Sequence, residues 1–527
     1  MSFVIYLIAA AATFFVYKIF FHNKNKNYFA HKGIKYEKPR GLLAIIDMFT
    51  KKKSLPDVVM GWYNDFKSEK ISGIFEFSRP VFMVRDPKLI KQMAVKDFDY
   101  FMDHRVVLTE EIDELFGKSL ISLQGQKWKD MRSTLSPAFT GHKMRLMFDF
   151  VASVGKQTVE TLKCQIDEGR EKDFEFKELA TKFTVDNIAS CAFGIHVNSF
   201  ADPKNDFHRI ASELTSSESL TVMLKFTGLL LFPWLMKAFK ISFFSENIMK
   251  FFKEAILDTM KTREEKGIVR HDMINLLMQA KKGNLTHENE EKTVEGFATV
   301  EESQMGKMQN KRKWDDTDLA AQALVFFIAG FETVATTMAF MGYELAINPE
   351  IQKKLYEEIL ETEKELNGKP LTYEKIQTMK FMDQVVSEVL RKWPPSPVTD
   401  RICVKDYVLD YEGRKITIEK DRSFMIPIWA FHRDPNYYRN PEKFDPERFN
   451  DENRKNIQEY TYMPFGVGPR NCIGSRFALM EVKTIFYYLL LNFRIAKTDK
   501  TKIPLQFKSM SVGLKVKEGI WVALEPK

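Results

Sequence analysis

The chain has 527 residues, of which 44% are apolar and 45 are Phe, enough for a large hydrophobic core and a lipophilic pocket. Its net charge of +8 is mild, and no basic run is interleaved with stacking aromatic residues, so we exclude a nucleic-acid partner. Four scattered cysteines exclude a disulfide framework and a zinc site, and they indicate a reducing compartment.

The N-terminus is almost continuously apolar from Phe3 to Tyr17, and the apolar residues Ile19 to Phe21 follow Lys18. A spanning helix needs about 20 residues, and a lysine near its end can reach the interface. We therefore predict a transmembrane anchor over residues 1–21. The alternative is a cleaved signal peptide, which the small residues at 9–12 suggest but the absence of a basic segment before the apolar run disfavours.

The residues after this run form a basic linker, predicted over 22–41, with Glu37 as its single acidic residue. Basic residues that flank a span favour the cytosolic side, so the rest of the chain is expected in the cytosol. Residues 42–527 are then predicted to be one catalytic domain. Its mild positive charge also suits an acidic docking partner or an anionic membrane surface.

Apolar spacing in this domain predicts a mainly α fold with a small β-rich region. Strands are expected near Gly73 to Val84, and helices from Pro87 to about Trp393. The longest helix is expected over Trp314 to Asn348. Further short strands are expected at Ile402–Leu409, Lys415–Ile428, Leu505–Leu514 and Gly519–Leu524.

Two segments depart from this pattern. Lys281 to Lys313 is polar and poor in large apolar residues, which predicts a flexible surface connection. Leu220 to Lys240 is apolar at its centre but too short to cross a bilayer. It is either a buried core helix or a segment that dips into a membrane surface.

The middle of the predicted long helix contains an acid beside a hydroxyl, Glu332 and Thr333, within apolar surroundings. Such polar groups are costly there unless something uses them. Gly330 weakens the helix, and Thr333 can hydrogen-bond a carbonyl one turn back. The alternative is an outward-facing turn of an amphipathic helix.

Two residue pairs have the spacing of one helical face. Trp128 and Arg132 are four residues apart, and Glu388 and Arg391 are three apart. Spacing alone makes an exposed Arg beside a core Trp as good an interpretation of the first pair as any functional one. For the second pair, spacing alone favours a solvated surface ion pair.

Near the C-terminus, Cys472 lies in a glycine-bounded loop, residues 465–474, before an apolar helical run from Phe477 to Phe493. The partial positive charge of a helix N-terminus favours a thiolate, and Arg470 could hold a carboxylate nearby. A lone cysteine presented in this way suits one axial bond to haem iron. An inert buried cysteine is the alternative.

Phe465, Gly468, Arg470, Cys472 and Gly474 match every fixed position of F-x-x-G-x-R-x-C-x-G, so the chain resembles the cytochrome P-450 superfamily. The resemblance implies the superfamily's fold and haem b, with Cys472 as the metal ligand and Phe465 as a further haem-binding residue. Residues 98–105 and 271–274 look like those of insect microsomal enzymes that oxidise insecticides and plant toxins.

Further motifs extend the resemblance. Residues 329–333 resemble the oxygen-binding element A-G-x-E/D-T, which implies catalytic roles in proton delivery to dioxygen for Glu332 and Thr333. W-x-x-x-R implies that Trp128 and Arg132 contact the haem propionates, together with Arg401 and Arg470. The elements E-x-x-R and P-E-R-F imply a buried structural triad of Glu388, Arg391 and Arg448.

The activity so implied is insertion of one oxygen atom from O2 into lipophilic substrates at the endoplasmic reticulum membrane. No phosphate-binding loop is evident, so the electrons of NADPH are expected through a separate reductase, with cytochrome b5 as a further partner. The alternatives are a biosynthetic hydroxylase of an endogenous lipid or hormone, a haem-thiolate isomerase, and a haem protein that only sequesters ligands.

Overall fold

The structure is a computed structural model. It describes residues 25–39, 53–76, 79–106, 108–169, 172–215, 225, 228–229, 233–283, 285, 296–303, 306, 313–509 and 513–527. The predicted anchor, residues 1–21, lies outside the described residues. So do parts of the linker and of the two segments that depart from the general pattern.

Helices make up most of the described chain, as the sequence predicts. In chain order they are α1 Leu55–Asp65, α2 Pro87–Lys91, α3 Glu114–Gly117, α4 Gly125–Leu135, α5 Gly141–Asp167, α6 Phe176–Ile188, α7 Asp206–Thr215, α8 Pro233–Ala238, α9 Glu246–Lys266, α10 Met273–Lys281, α11 Asp316–Ile347, α12 Pro349–Leu366, α13 Tyr373–Thr378, α14 Lys380–Lys392, α15 Ile428–Phe431 and α16 Ser475–Asn492.

The strands form three small sheets. They are β1 Ile71–Glu76, β2 Arg79–Val84, β3 Asp173–Glu175, β4 Thr399–Ile402, β5 Tyr407–Tyr411, β6 Arg414–Ile418, β7 Ser423–Ile426, β8 Phe493–Ala496 and β9 Trp521–Pro526. The largest sheet has the order β1-β2-β7-β4, in which only the β2–β7 pair is parallel. The strands expected near Gly73 to Val84 are therefore confirmed.

The predicted long helix is α11, and it runs through the main core. Its start is fixed by a capping box, in which Asp315 accepts from Asp318 N and Asp318 accepts from Asp315 N. Among the described residues α11 alone is long and apolar enough to cross a membrane, but 67% of its most apolar window is buried inside the protein. It packs on α6, where a Cβ at Gly342 would lie 2.4 Å from the Phe176 ring. A small residue is needed at that contact.

The described part of the linker packs on the catalytic body instead of standing apart from it. Phe29 is fully buried against Phe75 and Phe82 of the largest sheet, and Tyr36 bridges to Gly73. The basic residues of this stretch predict a solvated linker, but its aromatic residues pack on the sheet. In the described chain, packing contacts with the body therefore include residues before residue 42.

One predicted strand is wrong, and one strand was not predicted. In its described residues, Leu505–Leu514 forms only an isolated bridge, Phe507 to Val516. Two backbone hydrogen bonds accompany this bridge, Lys508 N to Lys515 O and Lys517 N to Gln506 O, both 2.7 Å. Conversely, β3 was not expected, since three residues carry no readable alternation. It pairs with β9, which is far away in sequence.

Candidate functional site

The loop before α16 has the geometry that its glycines predict. Gly466 and Gly468 have φ of 80° and 70°, in the left-handed region that favours glycine. A Cβ at Gly468 would lie 2.1 Å from the carbonyl oxygen of Ala94, so the loop also needs glycine for close approach. The Phe465 carbonyl accepts from Cys472 N at 2.8 Å, which closes the loop around the cysteine.

The Cys472 side chain is accessible, although it lies deep within the protein mass. Burial raises the pKa of its thiol, against the opposing effects of a hydrogen bond from Gly474 N and of the Arg132 charge. The helix N-terminus therefore assists the thiolate but does not by itself make it the favoured form. A metal cation at the sulfur would do so.

One turn of α11 is accessible although most of this helix is buried. Ala329 and Thr333, one turn apart, are both exposed, and Thr333 Oγ1 donates to Ala329 O at 2.7 Å. The Phe139 ring contacts Phe326 on the same face, 5.3 Å between centroids, and lies 3.7 Å from where a Gly474 Cβ would be. The Phe139 ring therefore connects this turn to the Cys472 loop. The catalytic role of Thr333 stays a prediction.

Glu332 faces a different neighbour. Its Oε2 lies 3.1 Å from Lys177 Nζ of α6, and the same ammonium donates to Glu332 O and Thr336 Oγ1, each at 3.0 Å. Burial lowers the pKa of Lys177, while the Glu332 carboxylate opposes this shift. Lys177 is not predictable from the sequence, because no motif or spacing near position 177 indicates a contact with Glu332.

The three arginines predicted to bind haem propionates, Arg132, Arg401 and Arg470, contact or belong to the Cys472 loop, and all three are buried. The Arg470 guanidinium lies 4.0 Å above the Trp128 ring and 3.2 Å from Asp103 Oδ1. Arg132 donates to Asn471 O at 2.8 Å and pairs with Glu302 at 2.7 Å. The exposed arginine that spacing allowed beside Trp128 is therefore not what the structure contains.

Arg401 differs from Arg132 and Arg470 because no carboxylate in the described part of the chain lies within ion-pair distance of it. It is fully buried, Nη2 donates to Val467 O at 2.7 Å, and Nε has no partner. Burial lowers its pKa to about 10, and Asp400 only partly opposes this shift. A buried guanidinium of this kind requires an anion.

The structure brings Glu388, Arg391 and Arg448 together. Arg391 forms a fork with the Glu388 carboxylate, at 2.6 and 2.8 Å, and both side chains are fully buried. Arg448 Nε reaches Glu388 Oε1 at 3.4 Å. The interpretation of Glu388 and Arg391 as a solvated surface pair is wrong, because the face of α14 that contains both residues is buried.

The basic residues of α4 near Trp128 and of the start of α5 are mostly engaged within the protein. Lys127 is exposed, whereas Lys129 pairs with Asp99 at 2.9 Å, and His142 and Lys143 are half-buried and have interactions of their own. Lys127 is therefore the best presented of the four for an acidic partner.

These groups fit an iron-bearing macrocycle with two carboxylates. One accessible sulfur is suited to the metal, Arg401 has no carboxylate partner among the described residues, and the Phe139 ring connects the accessible turn of α11 to the cysteine loop. This donor set defines the haem-thiolate class of protein.

Comparison with known proteins agrees with that class. The family model described as Cytochrome P450 matches residues 42–523. The chain is 45% identical over 508 residues to "Probable cytochrome P450 9f2" of Drosophila melanogaster, covering 95% of each chain. It is 46% identical over 490 residues to "Cytochrome P450 9e2" of Blattella germanica, covering 90% of this chain and 89% of that protein. The chain belongs to the cytochrome P450 family and is a haem-dependent monooxygenase.

Proposed function

We propose that the protein is a membrane-bound monooxygenase that inserts one oxygen atom from O2 into lipophilic xenobiotics such as insecticides and plant toxins. The observation that carries this proposal is the placement of Cys472 beside the accessible turn of α11 that contains Thr333. Haem held there would activate dioxygen and transfer one of its atoms to a carbon of the substrate. Electrons come from NADPH through a separate reductase, with cytochrome b5 as a second partner.

The chain's own residues then have distinct roles. Cys472 would supply the thiolate that holds the haem iron, and Phe465 closes the loop that presents it. Arg401 and Arg470, with Trp128 beside them, would hold the haem carboxylates. Arg132 would have less hydrogen-bonding capacity left for them, because its Nε, Nη1 and Nη2 already donate to Glu302 and Asn471.

Thr333 supplies a hydroxyl for proton delivery to dioxygen. Glu332, which pairs with Lys177, passes protons toward that hydroxyl. Glu388, Arg391 and Arg448 do not contact substrate. Their buried ion pairs fix α14 against the segment that contains Arg448, which supports folding and haem retention.

A membrane location is supported by two parts of the chain. Residues 1–21 provide the proposed anchor, residues 22–41 the linker, and residues 42–527 a cytosolic catalytic domain at the endoplasmic reticulum. In and just after α8, Trp234 and Phe239 are 55% and 70% exposed and stand beside Lys237 and Lys240. Exposed aromatic and basic residues of this kind suit the surface of a bilayer.

The lipophilic substrate class is supported by an apolar cluster near α3 and α8. Leu108, Ile112, Leu229 and Met236 are buried together, and the Phe116 and Phe244 rings pack 5.5 Å apart. Aromatic and aliphatic walls with few polar groups favour bulky apolar ligands.

The test is product formation by the enzyme reconstituted with reductase and NADPH on insecticides, plant toxins, steroids and fatty acids, followed by mass spectrometry. Oxygenated products from unrelated lipophilic compounds would support the proposal. Turnover of one endogenous lipid alone would indicate a biosynthetic hydroxylase and contradict the xenobiotic role. Binding without NADPH consumption would indicate a ligand-sequestering protein, and rearrangement of peroxides without reductase an isomerase.

A further inference from the structure

A short segment before α11 crosses the outer side of the Cys472 loop. Residues 296–303, called here the strap, belong to the polar stretch that sequence analysis interpreted as a surface connection. Phe297 N donates to Asp383 Oδ2 at 2.8 Å, and the Phe297 ring packs 5.1 Å from Phe449 and 5.3 Å from Tyr462. Ala298 is buried beside it. The strap is therefore a fixed part of the fold.

The strap ends beside Arg132, which contacts the cysteine loop. Glu302 Oε2 lies 2.7 Å from Arg132 Nη2, and Oε1 lies 3.3 Å from Arg132 Nε. The exposed fractions of the two side chains are 14% and 3%. A fork of this type fixes the plane of the guanidinium as well as its position.

The Arg132 guanidinium, oriented in this way, donates two hydrogen bonds to Asn471, the residue just before Cys472. Arg132 Nη1 donates to Asn471 O at 2.8 Å, and Nη2 donates to Asn471 Oδ1 at 2.9 Å. Asn471 Nδ2 donates back to Glu301 O of the strap at 3.3 Å. Glu302, Arg132, Asn471 and Glu301 thus form a closed ring of hydrogen bonds beside the sulfur.

We propose that Glu302 is a positioning residue for the thiolate loop, acting through Arg132 and Asn471, and that the strap exists in part to present it. The proposal rests on Cys472 being the axial ligand. Without the Glu302 carboxylate, the buried Arg132 guanidinium loses the fork that fixes its orientation. The two hydrogen bonds from Arg132 to Asn471 then weaken, and the position of the Cys472 sulfur is less restrained.

The experiment compares Glu302→Gln with the matched control Glu301→Gln. Both changes remove one negative charge from adjacent strap residues, but the Glu301 side chain is exposed and only its carbonyl contacts the loop. The purified holoenzyme is incubated in mild denaturant, and the reduced CO complex is monitored as its thiolate-type spectrum is lost. Breaking a buried pair makes that loss about tenfold faster in Glu302→Gln. The control stays within about twofold of wild type, because exposed charges contribute little.

Equal rates in the two variants would overturn the proposal. Global unfolding is followed in parallel by tryptophan fluorescence, and the positioning role requires the thiolate spectrum to be lost before the protein unfolds. If both signals shift together in Glu302→Gln, the strap is merely structural and the proposal is again overturned. The wild-type spectrum separates this test from the proposed function: a wild type without a thiolate-type spectrum would contradict the ligand assignment itself.

Discussion

Lys177 Nζ lies 3.1 Å from Glu332 Oε2, across the contact between α6 and α11, and it also donates to the Glu332 carbonyl. The acid next to Thr333 is therefore held by a residue of another helix. Adjacent residues on a helix point about 100° apart, so Glu332 connects the side of α6 to the face that contains Thr333.

We expect Lys177→Met to lower the product formed per NADPH consumed by about tenfold, since a half-buried carboxylate without its cation turns toward solvent and relays fewer protons. Hydrogen peroxide release should rise by the complementary amount. The control is Lys182→Met, on the same helix, which removes an ordinary surface pair with Glu178. Product yield and peroxide are measured together, and equal coupling in both variants would remove Lys177 from the proton path.

Thr333 supports a separate prediction, because its hydroxyl donates to Ala329 O while its side chain is exposed. Thr333→Val keeps the shape and removes the hydroxyl, so product per NADPH should fall about tenfold or more. The spectral change on substrate binding should persist. Thr333→Ser retains the hydroxyl and should restore most of the coupling; a Thr333→Val enzyme as well coupled as wild type would refute the proposed role.

Sequence predicted the parts of the site that depend on local patterns. The glycines of the cysteine loop, the long helix and the hydroxyl bond of Thr333 each follow from a few adjacent residues. Packing decided the rest. The spacing of Glu388 and Arg391 is that of an exposed pair, and only the tertiary fold shows that α14 turns this pair inward.

The contacts that sequence did not predict join segments far apart in the chain. Lys177 meets Glu332 across 155 positions, and Arg132 meets Glu302 across 170. No periodicity encodes such pairs. The wider segment 281–313 is polar, which predicts a flexible connection, but within it the ring of Phe297 packs between Phe449 and Tyr462 and fixes the strap.

Gly466 and Gly468 of the cysteine loop allow a matched comparison. Both have positive φ, which costs a residue with a side chain about 1–2 kcal/mol. A Cβ at Gly466 would meet its nearest neighbour, Asn471 Cα, at an ordinary 3.7 Å, whereas at Gly468 it would lie 2.1 Å from Ala94 O. Gly466→Ala should thus retain haem with modest loss of stability.

Gly468→Ala must move the loop away from the turn at residues 92–96, so we expect most of the haem to be lost on purification. The measurement is the haem content of each variant relative to protein, together with its thermal unfolding midpoint. Equal haem content in the two variants would show that close approach to Ala94 is not what glycine provides at position 468.

His432 predicts a pH dependence of stability. Its side chain is fully buried, its Nε2 accepts from Met463 N at 2.9 Å, and its Nδ1 therefore donates to Arg391 O at 2.9 Å in the neutral tautomer. Burial lowers the pKa of His432 to about 3, and the nearby charges of Arg391 and Arg433 add to this shift. Protonation would place a cation beside these arginines and remove the acceptor for Met463.

Because the pKa of His432 is lower in the folded than in the unfolded state, the unfolded chain binds more protons between about pH 6.5 and 3. The contribution of His432 is complete above pH 6.5 and is lost as the pH falls toward 3. Between pH 7 and 5 the free energy of unfolding should fall by about 2 kcal/mol on its account, at about 1.4 kcal/mol per pH unit below 6.5. His432→Gln cannot titrate, so its unfolding free energy, measured in urea by tryptophan fluorescence, should fall about 2 kcal/mol less than that of wild type over the same interval. A variant that loses as much stability as wild type would show that other groups carry the acid sensitivity.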